Sequence, residues 1–560
     1  MYPCAMNHWL PLCGWAIVAL LVLSCTDDPG RIVVVGGPGQ TSGTGGIGGA
    51  GGSEPALACE PGSSQTCYSG PPDTLDVGAC KAGVATCAPD GSAYGPCTGE
   101  VIPNFEDCGT VEDDDCNGSA ACEMVDWVKP FGGPKDQIIR KLLVAPDGSI
   151  FMGGSFGGSV SFGGDTFSSH SYWDQDAFVA KLSPSGEHVW SRPLWSNSNE
   201  LVENIALDST GRLYVAGYFS TEINLDGLVL SGNPQLHLFF AQFDPDGHAV
   251  RATALGDSGW FNSSSLAVTR DDGVLLLITG TGTVDFGGGP LTNAGYNTED
   301  VYLAKFDSSG QHVWSKRFGD SYRQSGRRVV VDAAGNIFIV GSFSGVIDFG
   351  GGPLTASAPL DRRDGFIAKF DAAGNHLRSK SFGGPGNEHI QDIAFDSAGN
   401  VVIIGTYDQS FDFGGGPLPH QGGYDIFLAK LDSLGNPIFS AGFGDGADQV
   451  SWALAMDDGG RIAMTFNHNA GGDGFSFDGV HTLRSVDSQD GFVSFFADSG
   501  AYQGAFPIAG PQGKWVGPIA FDKSGSLIVG GVFEGTADFG GHTSLTSVDR
   551  SDVFLAKLRP

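Results

Sequence analysis

The stretch Arg327–Phe382 reads RRVVVDAAGNIFIVGSFSGVIDFGGGPLTASAPLDRRDGFIAKFDAAGNHLRSKSF, and its internal grammar decides the fold. Two apolar runs meet at the turn Asp332-Ala333-Ala334-Gly335, and a second such meeting follows at Asp371-Ala372-Ala373-Gly374. Asp opening and Gly closing a four-residue turn suit a type I turn followed by a left-handed residue, a conformation that glycine adopts without a Cβ clash. The run Ile337-Phe338-Ile339-Val340 is apolar without alternation, as expected of a strand packed on both faces by neighbouring sheets. Four strands therefore share one unit. The first and second are joined tightly, as are the third and fourth, while a long connection carrying Asp348-Phe349-Gly350-Gly351-Gly352 separates the second from the third.

The same turn recurs with its glycine at Gly148, Gly211, Gly273, Gly335, Gly399, Gly460 and Gly525, separations of 63, 62, 62, 64, 61 and 65 residues. A period this regular means a propeller, a solenoid or an array, and four strands per period make the blade of a propeller. The expected fold class is all-β: a seven-bladed β-propeller of about 63-residue blades over residues 124–560, preceded by a small disulfide-rich module. Closure follows from where the repeat is cut. The last unit stops after its third strand, DVFLAKLRP, and the missing fourth strand stands at the start, where DWVKPFGG aligns with HVWSKRFGD so that Trp127 matches Trp314 and Phe131 matches Phe318. A ring closed in this way leaves no large open edge, whereas an open stack needs capping units. The elements DxxGNxxxxG, DFGGG and DxFxAKxDxxG together resemble the SBBP-type bacterial β-propeller repeat family, a resemblance that implies a fold and little about activity.

Ahead of the repeat, an apolar run from Trp15 to Leu23 is too short to span a bilayer and ends in Val22-Leu23-Ser24-Cys25. Those four residues resemble the lipobox of bacterial lipoproteins. The resemblance implies a signal peptide over residues 1–24, acylation of Cys25 as the new N-terminus, and, with Thr26 following, sorting to the outer membrane; an ordinary cleaved signal peptide and secretion are the alternative. Residues 25–58 are rich in Gly and Ser and read as a flexible tether. Residues 59–123 carry Cys59, Cys67, Cys80, Cys87, Cys97, Cys108, Cys116 and Cys122, an even set in a segment poor in large apolar residues, which is the signature of a disulfide-stapled module whose pairing stays open at this stage. Its end, EDCGTVEDDDCNG, resembles Cys-rich segments of large secreted bacterial surface proteins to which metal binding is ascribed. Asp113, Asp115 and Asn117, followed by Gly118, reproduce the opening of a calcium loop, although Met124 stands where the chelating Glu belongs. Calcium is the one cofactor considered, and a solvated acidic turn is the alternative.

Lys and Arg total 30 against 63 Asp and Glu, a net charge of -33, which repels nucleic acid and anionic headgroups and leaves the lipid as the expected membrane contact. Enzyme motifs are absent except for GDSGW at Gly256–Trp260, which lies where other units carry FGDS or FGDG and so reads as repeat drift. Residues common to all units serve the blade, and departures are free to serve a ligand. By that rule Asp176, Asp300, Asp364, Asp425, Asp490 and Asp552 read as structural, each bonding a nearby loop. Trp260, His389, His468, His481 and Trp515 are the ligand-face candidates, on the side of the long loops. The function expected is noncatalytic binding or adhesion to a protein or polysaccharide at the cell surface. A polysaccharide lyase or hydrolase and a structural subunit of a secreted assembly are the alternatives.

Overall fold

The computed structural model describes residues 58–102, 113, 116, 118 and 124–559, apart from short interruptions at 171–173, 257–259, 297, 358–361, 470–473, 475, 480–481, 484–488 and 541–542. The described residues divide into two compact units, one of residues up to Leu75 together with Lys81–Ile102, the other of Asp76–Cys80 together with Pro103 onward.

In the first unit, strands Ser64–Cys67 and Gly83–Thr86 pair antiparallel, and disulfides Cys59–Cys87 and Cys67–Cys97 cross-link them to the segments on either side. A third disulfide, Cys80–Cys116, lies in the second unit. With so little apolar mass, these bridges replace the core that the segment lacks. Cys25, Cys108, Cys122, Asp115 and Asn117 lie outside the described residues.

The second unit is all-β and propeller-like. Each repeat folds into an antiparallel array of four strands in chain order, for example Glu388–Phe395, Val401–Tyr407, Asp425–Leu431 and Pro437–Phe443. The first strands of successive arrays are Gln137–Val144, Leu201–Leu207, Phe261–Val268, Gln324–Val331, Glu388–Phe395, Gln449–Met456 and Lys514–Phe521. Each lies against the first strand of the next, and Lys514–Phe521 lies in turn against Gln137–Val144, so the order is cyclic. The last array is completed from the other end of the repeat region. Val125–Phe131 pairs with Asp552–Leu558, setting Pro130 opposite Phe554 and Phe131 opposite Val553. The Gln137 N–H donates to the Ser551 carbonyl at 2.8 Å. Ile139 and Leu142 of the first array share a core with Ile528, Val553 and Leu555 of the last.

The repeated motifs each have a mechanical reason. Asp332 Oδ1 accepts from the N–H groups of Ala334 and Asn336 at 2.9 and 2.8 Å, and Asn336 Nδ2 donates to Oδ2, which closes the DAAGN turn with Gly335 at φ 86°. In the DFGGG element, Asp348 Oδ1 accepts from Gly350 and Gly352, both left-handed, while Phe349 is buried against Phe318 and Phe366. The hairpin so formed, Val346–Asp348 with Pro353–Thr355, lies apart from the four-stranded array and recurs in three other units.

Candidate binding site at the centre of the cycle

The repeated aspartates are buried at the start of the third strand in six arrays, while the second carries His237 there. Asp364 Oδ2 accepts from Ser357 N and Oγ at 2.8 and 2.6 Å, Asp425 Oδ2 from Gln421 N at 2.8 Å, and Asp552 Oδ2 from Val548 N at 3.0 Å. Each carboxylate also fills the space beneath the glycine that ends the fourth strand. A Cβ on Gly132, Gly383 or Gly444 would lie 2.0–2.1 Å from Asp552, Asp364 or Asp425 respectively. The partner at each junction is the first residue of the next array. Gln137, Gln324 and Gln449 stand there in three units, all buried, and in each the side-chain oxygen accepts a backbone N–H from the preceding turn. Glu200 and Glu388 take the place in two others, and burial, aided by the neighbouring Asp176 or Asp364, pushes both carboxyls up to about 8. These acid pairs sit in the position that sister units fill with an amide, so they belong to the joints between blades.

The candidate ligand residues separate once placed. Trp260 is 68% exposed on a connecting loop, where its N–H donates to Thr281 Oγ1 at 2.9 Å. His468 is buried: its Nε2 meets Asp445 Oδ2 at 3.0 Å, at the position held by Phe343 and Phe533 in other units, so this departure from the repeat is absorbed by the core and not offered to a ligand. His481 lies outside the described residues. Asp113 is buried and accepts the Gly118 N–H at 2.9 Å, and no cluster of three metal-ligating side chains occurs among the described residues. His389 and Trp515 occupy equivalent second positions of their first strands, near the start of the innermost layer. Burial, reinforced by Arg363 and Arg327, draws the His389 imidazole down to about 4.

The feature not singled out from sequence lies deeper along those strands. Every first strand contains a bulge, which leaves one residue outside the ladder, or two in the seventh where Pro518 follows Gly517; a bulge of this kind re-aims side chains. In six units it falls eight residues before the turn glycine, at Arg140, Glu203, Arg327, Gln391, Trp452 and Gly517; in the third it falls earlier, at Asn262. Arg140, Arg327 and Trp452 are exposed although they stand on the innermost strands, so the centre of the cycle is open to solvent. Their charges meet across it. Glu203 lies 3.9 Å from Arg140 and also feels Arg327, two arrays away, while burial holds its carboxyl above the usual range. Burial, with Arg328 beside it, pulls the Lys141 ammonium down to about 7, opposed by Asp392. Arg328 and Asp392 belong to the fourth and fifth arrays, opposite the first, and pair at 2.9 Å. Trp452 meets Trp515 edge-to-face with ring centroids 5.5 Å apart. At the rim, Arg363 faces Glu299 at 3.8 Å and Arg362 pairs with Asp408 at 2.8 Å. The centre of a chain of net charge -33 thus carries Arg140, Lys141, Arg327 and Arg328 together with Glu203 and Asp392, and the two tryptophans stand on the sixth and seventh arrays, the latter packed next to the first.

No family model matches the chain, so the SBBP-type resemblance rests on the repeated motifs themselves. Two curated proteins are similar: an uncharacterized WD repeat-containing protein, L264, of Acanthamoeba polyphaga mimivirus (23% identity, 49% of this chain and 24% of that protein), and the regulatory protein FlaEY of Caulobacter vibrioides (24% identity, 53% and 30%). The chain's matches span less than a third of the length of either relative. Among solved structures, the β-propeller domain of the Trilobed protease from Pyrococcus furiosus aligns over 76% of this chain and 94% of its own at TM-score 0.39 and 9% identity, and the Pan2 WD40 domain of Neurospora crassa over 76% and 90% at 0.37 and 8%. The strand order and cyclic packing make this an all-β, propeller-like repeat protein with disulfides near its N-terminus.

Proposed function

We propose that this chain is an exported, lipid-anchored surface protein whose repeats form a closed seven-bladed propeller serving as a noncatalytic binding platform, with the ligand entering at the centre of the cycle. The observation that carries this reading is the set of bulge residues. Arg140, Glu203, Arg327, Gln391 and Trp452 share one structural position yet vary from unit to unit, so blade architecture does not require them, and the nearness of Arg140, Glu203 and Arg327 supports their convergence at the centre. Convergent departures from a repeat are what a ligand site leaves behind. Export and the anchor are supported by the Cys25 motif and by disulfides suited to an oxidising compartment.

The test is saturable binding of the full chain to intact cells and to purified surface polymers, compared with Arg327→Gln and Trp452→Ala. Loss of binding in both variants supports the platform. Binding that neither substitution changes moves the site elsewhere, and release of cleaved product from any polymer replaces the platform with a lyase or hydrolase. Acylation of Cys25, read by mass spectrometry of the N-terminal peptide, tests the anchor, and an unmodified Cys25 peptide removes it.

A further inference from the structure

We infer that the centre of the cycle selects an acidic saccharide, its carboxylate held by Arg327 and Lys141 and one sugar ring lying on Trp452. This rests on the platform reading above and names the chemistry of its ligand.

Three features define that chemistry. The first is charge: Arg328 is paired with Asp392 and Arg140 has Glu203 nearby, but Arg327 and Lys141 have no ion-pair partner within 4 Å among the described residues. Lys141 is within electrostatic reach of Arg328 and Asp392 from the opposite side, and Arg327 of Glu203 and Glu299, so both cations look onto the solvent-open centre, where a small, planar anion such as a carboxylate matches them. The second is shape. Trp452 is 41% exposed, and its ring is braced by Trp515, which itself packs on the core shared by the first and last arrays. A braced indole offers a flat apolar face with a small entropy cost, suited to the C–H face of a pyranose. Gln391 and Glu203, at the same level of the strands, supply an amide and a carboxylate for hydroxyl groups. The third is the surrounding field. With a net charge of -33, the protein repels a polyanion in proportion to the charges brought near it, so a short saccharide end carrying a few carboxylates loses less on approach than a long nucleic acid. Nucleic acid is the less favoured polyanion for that reason.

Titration calorimetry on the full chain tests the inference with a galacturonate trisaccharide, its methyl ester and a neutral glucose trisaccharide. The acid is expected to bind saturably, with at least a tenfold loss on esterification, a similar loss in Arg327→Gln and Trp452→Ala, retention in Trp452→Phe, and no change in Arg378→Gln on an outer strand. Thermal melts of each variant separate lost affinity from lost fold. Equal affinity for the neutral sugar overturns the acidic class while leaving the platform intact. Displacement by inorganic phosphate at equal concentration reduces the site to a general anion hole and overturns the saccharide. Tighter binding of an oligonucleotide than of the trisaccharide assigns the cations to nucleic acid instead. Binding to cells that persists without any saccharide binding refutes the class alone, whereas cleavage of the trisaccharide refutes the platform.

Discussion

Replacing Glu388 by glutamine should stabilise the protein at neutral pH and leave it unchanged in acid. Glu388 is buried, with Oε2 accepting from Gly384 N at 3.1 Å. Its carboxyl is pushed from 4.5 up to about 8, first by burial and then by Asp364 and Asp408, so between those values the folded chain holds a proton that the unfolded chain has released. A raised carboxyl leaves stability highest below the unfolded value and lowers it as the pH climbs through the folded one. Every pH unit climbed between the two values costs about 1.4 kcal/mol, so the loss accumulates to roughly 3 kcal/mol at pH 7 and levels off near 5 kcal/mol above pH 8, both upper figures because water penetration and relaxation soften burial. Glutamine has no such cost, and the site is already shaped for it. Gln324, its counterpart one unit earlier, accepts from Asp320 N at 3.3 Å and donates to the Ser344 carbonyl at 3.2 Å. Urea unfolding of both proteins at pH 4.5, 6, 7 and 8 reads the difference directly, since every other titrating group is common to the two. The variant should gain about 1–3 kcal/mol at pH 7 and converge with the parent near pH 4.5. A variant equal to or weaker than the parent at pH 7, or a gap independent of pH, refutes the assignment of Glu388 as a buried neutral acid.

Deleting Val125–Phe131 should open the cycle. The segment pairs along Asp552–Leu558 and buries Phe131 and part of Trp127, at about 2 kcal/mol for each large side chain before the exposed edge is counted, so a fall of more than about 5 kcal/mol or failure to fold is expected in melts. Unchanged melting contradicts closure by this strand. Peptide mapping without reduction should recover Cys59–Cys87, Cys67–Cys97 and Cys80–Cys116 and should join Cys108 to Cys122, since no other partner is left within the segment; a bond from Cys108 to any of the six contradicts it. Affinity for a carboxylated saccharide should decline between pH 6 and pH 8 as Lys141, drawn down to about 7, loses its proton, and Lys141→Arg should remove much of that decline in calorimetry at matched ionic strength. A decline of the same size in the arginine variant assigns the titration to another group.

The repeat, the four strands of each unit, the turn chemistry and the split last unit were legible in the sequence because each is a local pattern multiplied by a period. A glycine that must be left-handed, such as Gly335, or an apolar run packed on both faces, such as Ile337–Val340, constrains its own residue type wherever the unit lands. Even the closure was readable, since Trp127 and Phe131 carry the spacing of the strand missing at the other end. The role of the repeated aspartates was legible for the same reason. The candidate site was legible only in part. His468 departs from the pattern as visibly as His389 does, yet its departure is matched by Asp445 and buried, and only packing distinguishes compensation from freedom. Arg327-Arg328 and Arg140-Lys141 were not singled out from sequence; their constant offset of eight from the turn glycine to the first member was the available signal. Sequence by itself therefore determined the units and where the ring is joined. Tertiary structure alone decided that Arg140, Glu203 and Arg327, some sixty residues or more apart, come within electrostatic reach of one another and that Trp452 meets Trp515, because a bulge turns each bulge residue out of its own ladder and the first strands pack in a cycle.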